Sequence, residues 1–236
     1  MTNEYIKDYY STLKVKFDGS GKIERNYSQA LQDMFVLSIL NGKRNGTYVE
    51  IGGYDGIGLS NTYLLEKDFD WTGIALEIEQ DKANTYNTQR KNKCLCEDAI
   101  AADYKKLFKT YKLPKRIDYL QLDIDPAEQT LEALKALPLD EYRFSVITYE
   151  TDIYRSPKEV AEESRQILES NGYELLVKNV SHIDNPFEDW YIDKSLDIDQ
   201  KVKDLLQKDI PSLYRNPMGV VDRIEACDVL MYDLED

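Results

Sequence analysis

The sequence predicts one α/β domain organised on a doubly wound, mostly parallel sheet of seven strands. Short β-branched and aromatic runs alternate with stretches of helical periodicity from about residue 28 to residue 180. Three of those runs end on an acid: Glu77, Asp123 and Glu150. The first run, Tyr48-Val49-Glu50-Ile51, stops on a glycine-rich turn containing Gly52, Gly53, Gly56 and Gly58. A strand, a glycine turn and then a helix bring free backbone N–H groups to the carboxyl edge of a parallel sheet, where ligands of such sheets bind.

Taken in order, residues 1–26 are polar and rich in Tyr and Lys, and read as a loosely attached arm. A helix is expected from Ser28 through Leu31, Met34, Phe35 and Leu40, stopped by Asn41-Gly42. Its opening, which includes Gln29 and Asp33, is rich in hydrogen-bonding groups that either cap the helix or close over a ligand. Ser60 or Asn61 can N-cap the helix after the glycine turn. Further strands are expected at Trp71–Glu77, Lys93–Ile100, Ile117–Asp125, Arg143–Glu150 and Tyr173–Val180, with helices at 79–91, 104–111, 127–136 and 156–170 between them. Pro186–Ile192 reads as a returning antiparallel strand, Leu196–Lys208 as a helix and Ala226–Tyr232 as a last strand.

With 236 residues, 42% of them hydrophobic and 31% charged, the chain is long enough for one sizeable core. A net charge of −14 argues against nucleic-acid binding, since there is no basic surplus to release counterions from phosphates. The three cysteines, Cys94, Cys96 and Cys227, suit no disulfide framework and are expected in the core of a reduced protein. No apolar run approaches the length of a membrane span and no leader pattern opens the chain, so the expected location is cytoplasmic.

The glycine spacing, Gly-Gly-x-x-Gly-x-Gly, departs from the dinucleotide fingerprint, and no Gly-Lys-Ser/Thr follows to make a phosphate loop. Glu50 would repel a pyrophosphate but suits a cationic, amine-bearing ligand. Glu77, about 20 residues beyond the turn, stands where an acid holds ribose hydroxyls. Together they point to S-adenosylmethionine (SAM).

An ordered set of segments then carries a family resemblance. They are Tyr27-Ser28-Gln29 with Gln32-Asp33, Tyr48 to Gly56, Leu59-Ser60-Asn61-Thr62, Trp71-Thr72-Gly73-Ile74 and Leu76-Glu77. Asp98-Ala99-Ile100, Ile117 to Asp123 and Tyr142 to Glu150 complete it. Over most of residues 27–192 the chain resembles the FkbM-type SAM-dependent methyltransferases. The family has Asp-Val-Glu-Gly-Ala-Glu where this chain has Asp123-Ile124-Asp125-Pro126-Ala127-Glu128. Residues 193–236 fall outside the resemblance and are taken as an extension packed on the same domain.

The resemblance implies a Rossmann-like class I methyltransferase fold and O-methylation of a hydroxyl on a sugar, glycan or related small molecule. Carried over, Glu50, Gly52 and Gly53 would line the methionine portion of SAM, with Asp55, Ser60 and Asn61 beside it and Gln29 and Asp33 closing over it. Glu77 would take the ribose, Asp98 and Ala99 the adenine edge, and Asp123 would sit near the transferring methyl. The base would be Asp123, Glu150 or His182, the last on a loop after its strand. Alternatively Asp123, Glu150 and Asp152 resemble in spacing the ligands of catechol-type O-methyltransferases and would hold magnesium or another divalent cation. Trp190, Tyr191 and Tyr214 are candidates for stacking on sugar rings. Two other readings compete: a metal-dependent glycosyltransferase using Asp123-Ile124-Asp125, and a non-catalytic Rossmann-like binding domain.

Overall fold

Strand β1 (Thr47–Ile51) runs inside the sheet, with Tyr48, Val49 and Ile51 buried as apolar side chains and Glu50 buried among them. The computed structural model describes residues 17–23, 27–182 and 185–204. β1 pairs in parallel with β2 (Thr72–Glu77) on one side and with β4 (Arg116–Leu122) on the other. Outside them lie β3 (Lys93–Cys96), beside β2, and β5 (Arg143–Glu150), beside β4. β7 (Asn185–Asp193) returns antiparallel between β5 and β6 (Tyr173–His182), giving the order β3-β2-β1-β4-β5-β7-β6. This is a doubly wound, Rossmann-like sheet with one antiparallel strand, the topology expected of a class I methyltransferase fold. Strand order reverses between β1 and β4, the position at which such sheets open a ligand crevice.

Among the described residues these helices flank the sheet: α1 (Gln32–Ile39), α2 (Tyr63–Phe69), α3 (Gln80–Gln89), α4 (Tyr104–Thr110), α5 (Ala127–Ala136) and α6 (Lys158–Ser170). Successive strand residues point to opposite faces, so Tyr48, Tyr119 and Val146 join one apolar cluster while Val49, Leu120 and Ile147 join another. The first cluster packs β-strand residues against α1 and α2; the second packs them against α4, α5 and α6. No helix among the described residues is long and apolar enough to cross a membrane.

Several expectations shift. α1 starts at Gln32 instead of Ser28, because the Asp33 carboxylate draws the preceding residues inward and Leu31 takes a left-handed conformation (φ 69°). β3 ends at Cys96, which is exposed; of the two described cysteines only Cys94 is in the core. β4 ends one residue before Asp123. Phe17 and Ile23 are buried in the first cluster, so this part of the expected arm is packed, and Ile198 and Val202 rest on the same cluster. Residues 200–204 are helical. The predicted strand at Ala226–Tyr232, along with Tyr214 and Cys227, lies outside the described residues.

Trp190 and Tyr191 are fully buried and unavailable for stacking on a sugar. Their strand β7 is inserted between β5 and β6, with helices on both faces. The Trp190 ring stacks on Phe35 of α1 (centroids 4.5 Å apart), which fixes α1 to the sheet. Phe35→Ala is expected to cost about 3–5 kcal/mol, the range for deleting a buried aromatic ring, read as a fall in the denaturant midpoint.

Candidate functional site

The carboxyl ends of β1, β2, β4 and β5 open into a cleft of about 500 Å³. Its floor depends on Gly52, which takes a left-handed conformation (φ 89°). A Cβ there would lie 1.8 Å from the Asp123 carbonyl oxygen, so no other residue lets the β1 turn run this close to the end of β4. The Gly52 and Gly53 amides donate to the Leu76 carbonyl (3.0 and 3.1 Å), and the Asp123 amide donates to that of Ile51 (3.0 Å). The same hydrogen bonds therefore bring Glu50, Glu77 and Asp123 around one opening.

The wall is strongly acidic. Eight lining residues are carboxylates, Glu50, Glu77, Asp98, Asp123 and Glu150 among them, against one base, Lys82. Three of the lining residues carry a buried acceptor oxygen with no partner in the protein: Asn61 Oδ1, Gln121 Oε1 and Glu150 Oε2. Leaving such atoms unmade costs about 1–3 kcal/mol each, so the cleft is built for a ligand that donates hydrogen bonds and carries positive charge. Glu77 accepts from the Tyr54 amide (2.9 Å) through one oxygen and from the Glu79 amide (2.9 Å) through the other. Each oxygen keeps a lone pair for a hydroxyl donor. Asp98 accepts from the Ile100 amide (2.8 Å), which holds Ala99 against the cleft wall.

At the β4–β5 end the carboxyls of Asp123 and Glu150 are hydrogen-bonded to each other, so they share one proton. Burial raises the pKa of both above the usual carboxylate range, and the Asp123 charge raises that of Glu150 further. The pair therefore holds one proton and one negative charge at neutral pH. Glu50 is also raised by burial, and the positive charge of Arg90 opposes that rise.

Most of the sequence-predicted site residues meet here: Gln29, Glu50, Gly52, Gly53, Ser60, Asn61, Glu77, Asp98, Ala99, Asp123 and Glu150 all line the cleft. Asp33 does not. It is fully buried in the first turn of α1, accepting from the Tyr27 and Met34 amides and from Ser28 Oγ (3.1, 2.7 and 2.7 Å), and so ties down the residues that lead into the helix. Asp55 turns back to receive the Ile57 and Gly58 amides (2.9 and 2.8 Å), which shapes the glycine turn without reaching the cleft wall. His182 is not on a loop: its backbone ends β6, paired with Asn185, two strands beyond β5, and its side chain lies outside those described.

The expected metal set also changes. Asp125, Glu150 and Asp152 have carboxylate oxygens within 4.8 Å of one another, whereas Asp123 turns to Glu150 instead. Arg155 already bridges Asp125 and Asp152 with its guanidinium. Sequence reasoning missed Arg155, although an arginine three residues after Asp152 was the available signal. It also missed Gln121, which strand alternation places on the Glu50 side of the sheet.

No protein-family model matches this chain, and no curated protein sequence does. Solved structures do match. One is an rRNA methylase from Streptococcus thermophilus, at 12% identity, covering 69% of this chain and 94% of that one, with TM-score 0.47. Another is a putative rRNA methylase from Clostridium thermocellum (13% identity, 71% and 97% covered, TM-score 0.46). A third is fibrillarin from Aeropyrum pernix with natively bound SAM (16% identity, 64% and 67% covered, TM-score 0.45). At such identities and scores, function has to be argued from this chain's own residues.

The shared proton sets a pH dependence. Glu150 has a raised pKa when folded, so folding takes up a proton once the unfolded carboxylate ionises above about pH 4.3. The charge it would carry therefore destabilises the fold increasingly as pH climbs above that value. Glu150→Gln is expected to melt higher than the parent at pH 8, with the gap closing towards pH 4 in a thermal-melt series. A variant that melts lower at pH 8 contradicts the shared proton.

Proposed function

We propose that this protein is a SAM-dependent methyltransferase of FkbM type, moving a methyl group to a hydroxyl of a sugar, glycan or related small molecule. The observation that carries the reading is the set of unpartnered buried acceptors, Asn61 Oδ1, Gln121 Oε1 and Glu150 Oε2, in a cleft otherwise walled by carboxylates. A cation bearing an amine and two ribose hydroxyls fits that donor-hungry wall, and Gly52 allows the turn that brings Glu50, Glu77 and Asp123 to one opening. SAM, when bound, supplies a methyl group on a sulfonium leaving group.

The chain's own residues then divide the work. Glu50, with Gly52, Gly53, Ser60 and Asn61, faces the charged amino-acid end; Glu77 takes the ribose hydroxyls; Asp98 and Ala99 border the base. The Asp123–Glu150 pair holds one proton and one negative charge, and it accepts the proton that the acceptor hydroxyl loses as its oxygen bonds to the methyl carbon and the carbon–sulfur bond breaks. A base with a raised pKa is suited to that transfer at neutral pH.

A metal would have to be held by Asp125, Glu150 and Asp152, where it would lower the pKa of the hydroxyl, but Arg155 already supplies a cation there. The carboxylate pair is therefore the favoured base. The glycosyltransferase reading weakens for a related reason: Asp123 and Asp125 face different partners, Glu150 and Arg155, instead of one shared ion.

Calorimetry of well-folded protein should register binding of SAM and of its demethylated product, and absence of heat with both would remove the reading. Asp123→Ala is expected to lower the rate of transfer from labelled SAM to a glycan acceptor panel by about 10²–10⁴-fold while SAM affinity stays within about threefold. Activity is expected to persist in excess chelator; its loss there would return the metal at Asp125, Glu150 and Asp152.

A further inference from the structure

Behind the glycine turn lies a buried arginine that the proposed chemistry does not touch. Arg90 follows α3, and its side chain is fully enclosed. All three guanidinium nitrogens are engaged. Nε donates to Glu66 Oε2 (2.9 Å), Nη1 to the Gly56 carbonyl (2.7 Å) and Ser60 Oγ (3.3 Å), and Nη2 to Tyr48 OH and Thr62 Oγ1 (both 3.0 Å). The guanidinium carbon lies 4.7 Å from the centroid of Tyr86.

Two of these partners belong to the cleft or its turn. Gly56 is in the glycine turn, at φ 91°, packed so tightly that a Cβ would fall 2.8 Å from the Tyr86 ring. Ser60 lines the cleft, and its hydroxyl also accepts the Tyr63 amide at the head of α2 (3.1 Å).

Glu50 is the third link. Its carboxylate is 2% exposed and accepts from Tyr86 OH (3.1 Å), whose oxygen lies 3.2 Å from Tyr48 OH, the hydroxyl that receives Arg90 Nη2. The titratable groups around it are Tyr48 of β1, Glu66 of α2, Tyr86 of α3, Cys94 of β3, Tyr119 of β4, and Arg90. Among these described groups Arg90 alone is a cation, and Glu66 adds a negative charge. An ionised carboxylate so enclosed is costly without a nearby cation.

We propose that Arg90 is a positioning residue that keeps Glu50 ionised and fixes the Gly56–Ser60 stretch, so that the cleft presents a charged carboxylate to its cationic ligand. The proposal rests on the reading of the cleft as a SAM site. A neutral residue at this position leaves Glu50 buried beside Glu66 with no cation, so Glu50 takes up a proton near neutrality and stops attracting the ligand. Lysine restores the charge but not the planar fork that reaches Gly56, Ser60, Tyr48 and Thr62 together.

The test is SAM affinity by calorimetry from about pH 5.5 to 7.5, below the α-amino pKa of about 7.7–8.0, so the ligand's own charge stays nearly constant. The parent protein is expected to lose less affinity towards the acid end of that window than a variant without the Arg90 charge. Arg90→Met should bind poorly at the acid end and gain affinity as pH rises more steeply than the parent, by up to about tenfold per unit, the limit for one ionising group. Adding Glu50→Gln to Arg90→Met should remove that slope. Arg90→Lys should bind more weakly than the parent at every pH with no steeper slope, and circular dichroism checks that each variant folds. A profile in folded Arg90→Met no steeper than the parent's, or a slope that survives Glu50→Gln, overturns the proposal. If Arg90→Met does not fold, Arg90→Lys decides: parental affinity overturns the proposal, and uniform weakening supports it. No binding by the parent protein overturns the reading of the cleft and the proposal with it, which separates that failure from a failure of Arg90 alone.

Discussion

The close approach of β1 to β4 at their carboxyl ends is the constraint on which the site depends. Gly52 can lie against the Asp123 carbonyl only because it has no Cβ and tolerates positive φ. That contact lets the β1 turn bend over the sheet edge and leaves the crevice between strands whose order reverses there. Glu50, Glu77 and Asp123 come from three strands, yet they face one space because parallel strands in register all end at the same edge.

A site built this way collects negative charge, and the fold manages that charge in three ways. At the β4–β5 end, Asp123 and Glu150 share a proton and so avoid facing each other as two anions. Arg155 bridges Asp125 and Asp152 at the rim, half-exposed and therefore only modestly stabilising. Behind the turn, Arg90 is fully enclosed and serves both Glu66 and Glu50. Removing a buried cation is far more disruptive than removing an exposed one, because an unpaired charge would remain in a dry interior.

The methyl-transfer reading rests on the acidic wall, the unpartnered acceptors and the carboxylate pair. The sheet insertion of β7 matters here too. It buries Trp190 and Tyr191 and so removes two of the three aromatic candidates for stacking on a sugar.

The sequence by itself determined the alternation of strands and helices, the extents of α5 and β5, the glycine turn, and the acids at Glu77, Asp123 and Glu150. Those features are local: periodicity, turn residues and strand-end positions are written within a few residues of each other. Only the tertiary structure decided that Asp33 ties down the residues before α1, that Asp55 serves the turn, that Asp123 pairs with Glu150 while Asp125 pairs with Arg155, and that Arg90 reaches Glu50 through Tyr48 and Tyr86. Each of those depends on where a side chain points after residues about 30 to 40 positions apart, or a folded-back turn, have been brought together by packing. Spacing along the chain carries no record of that direction.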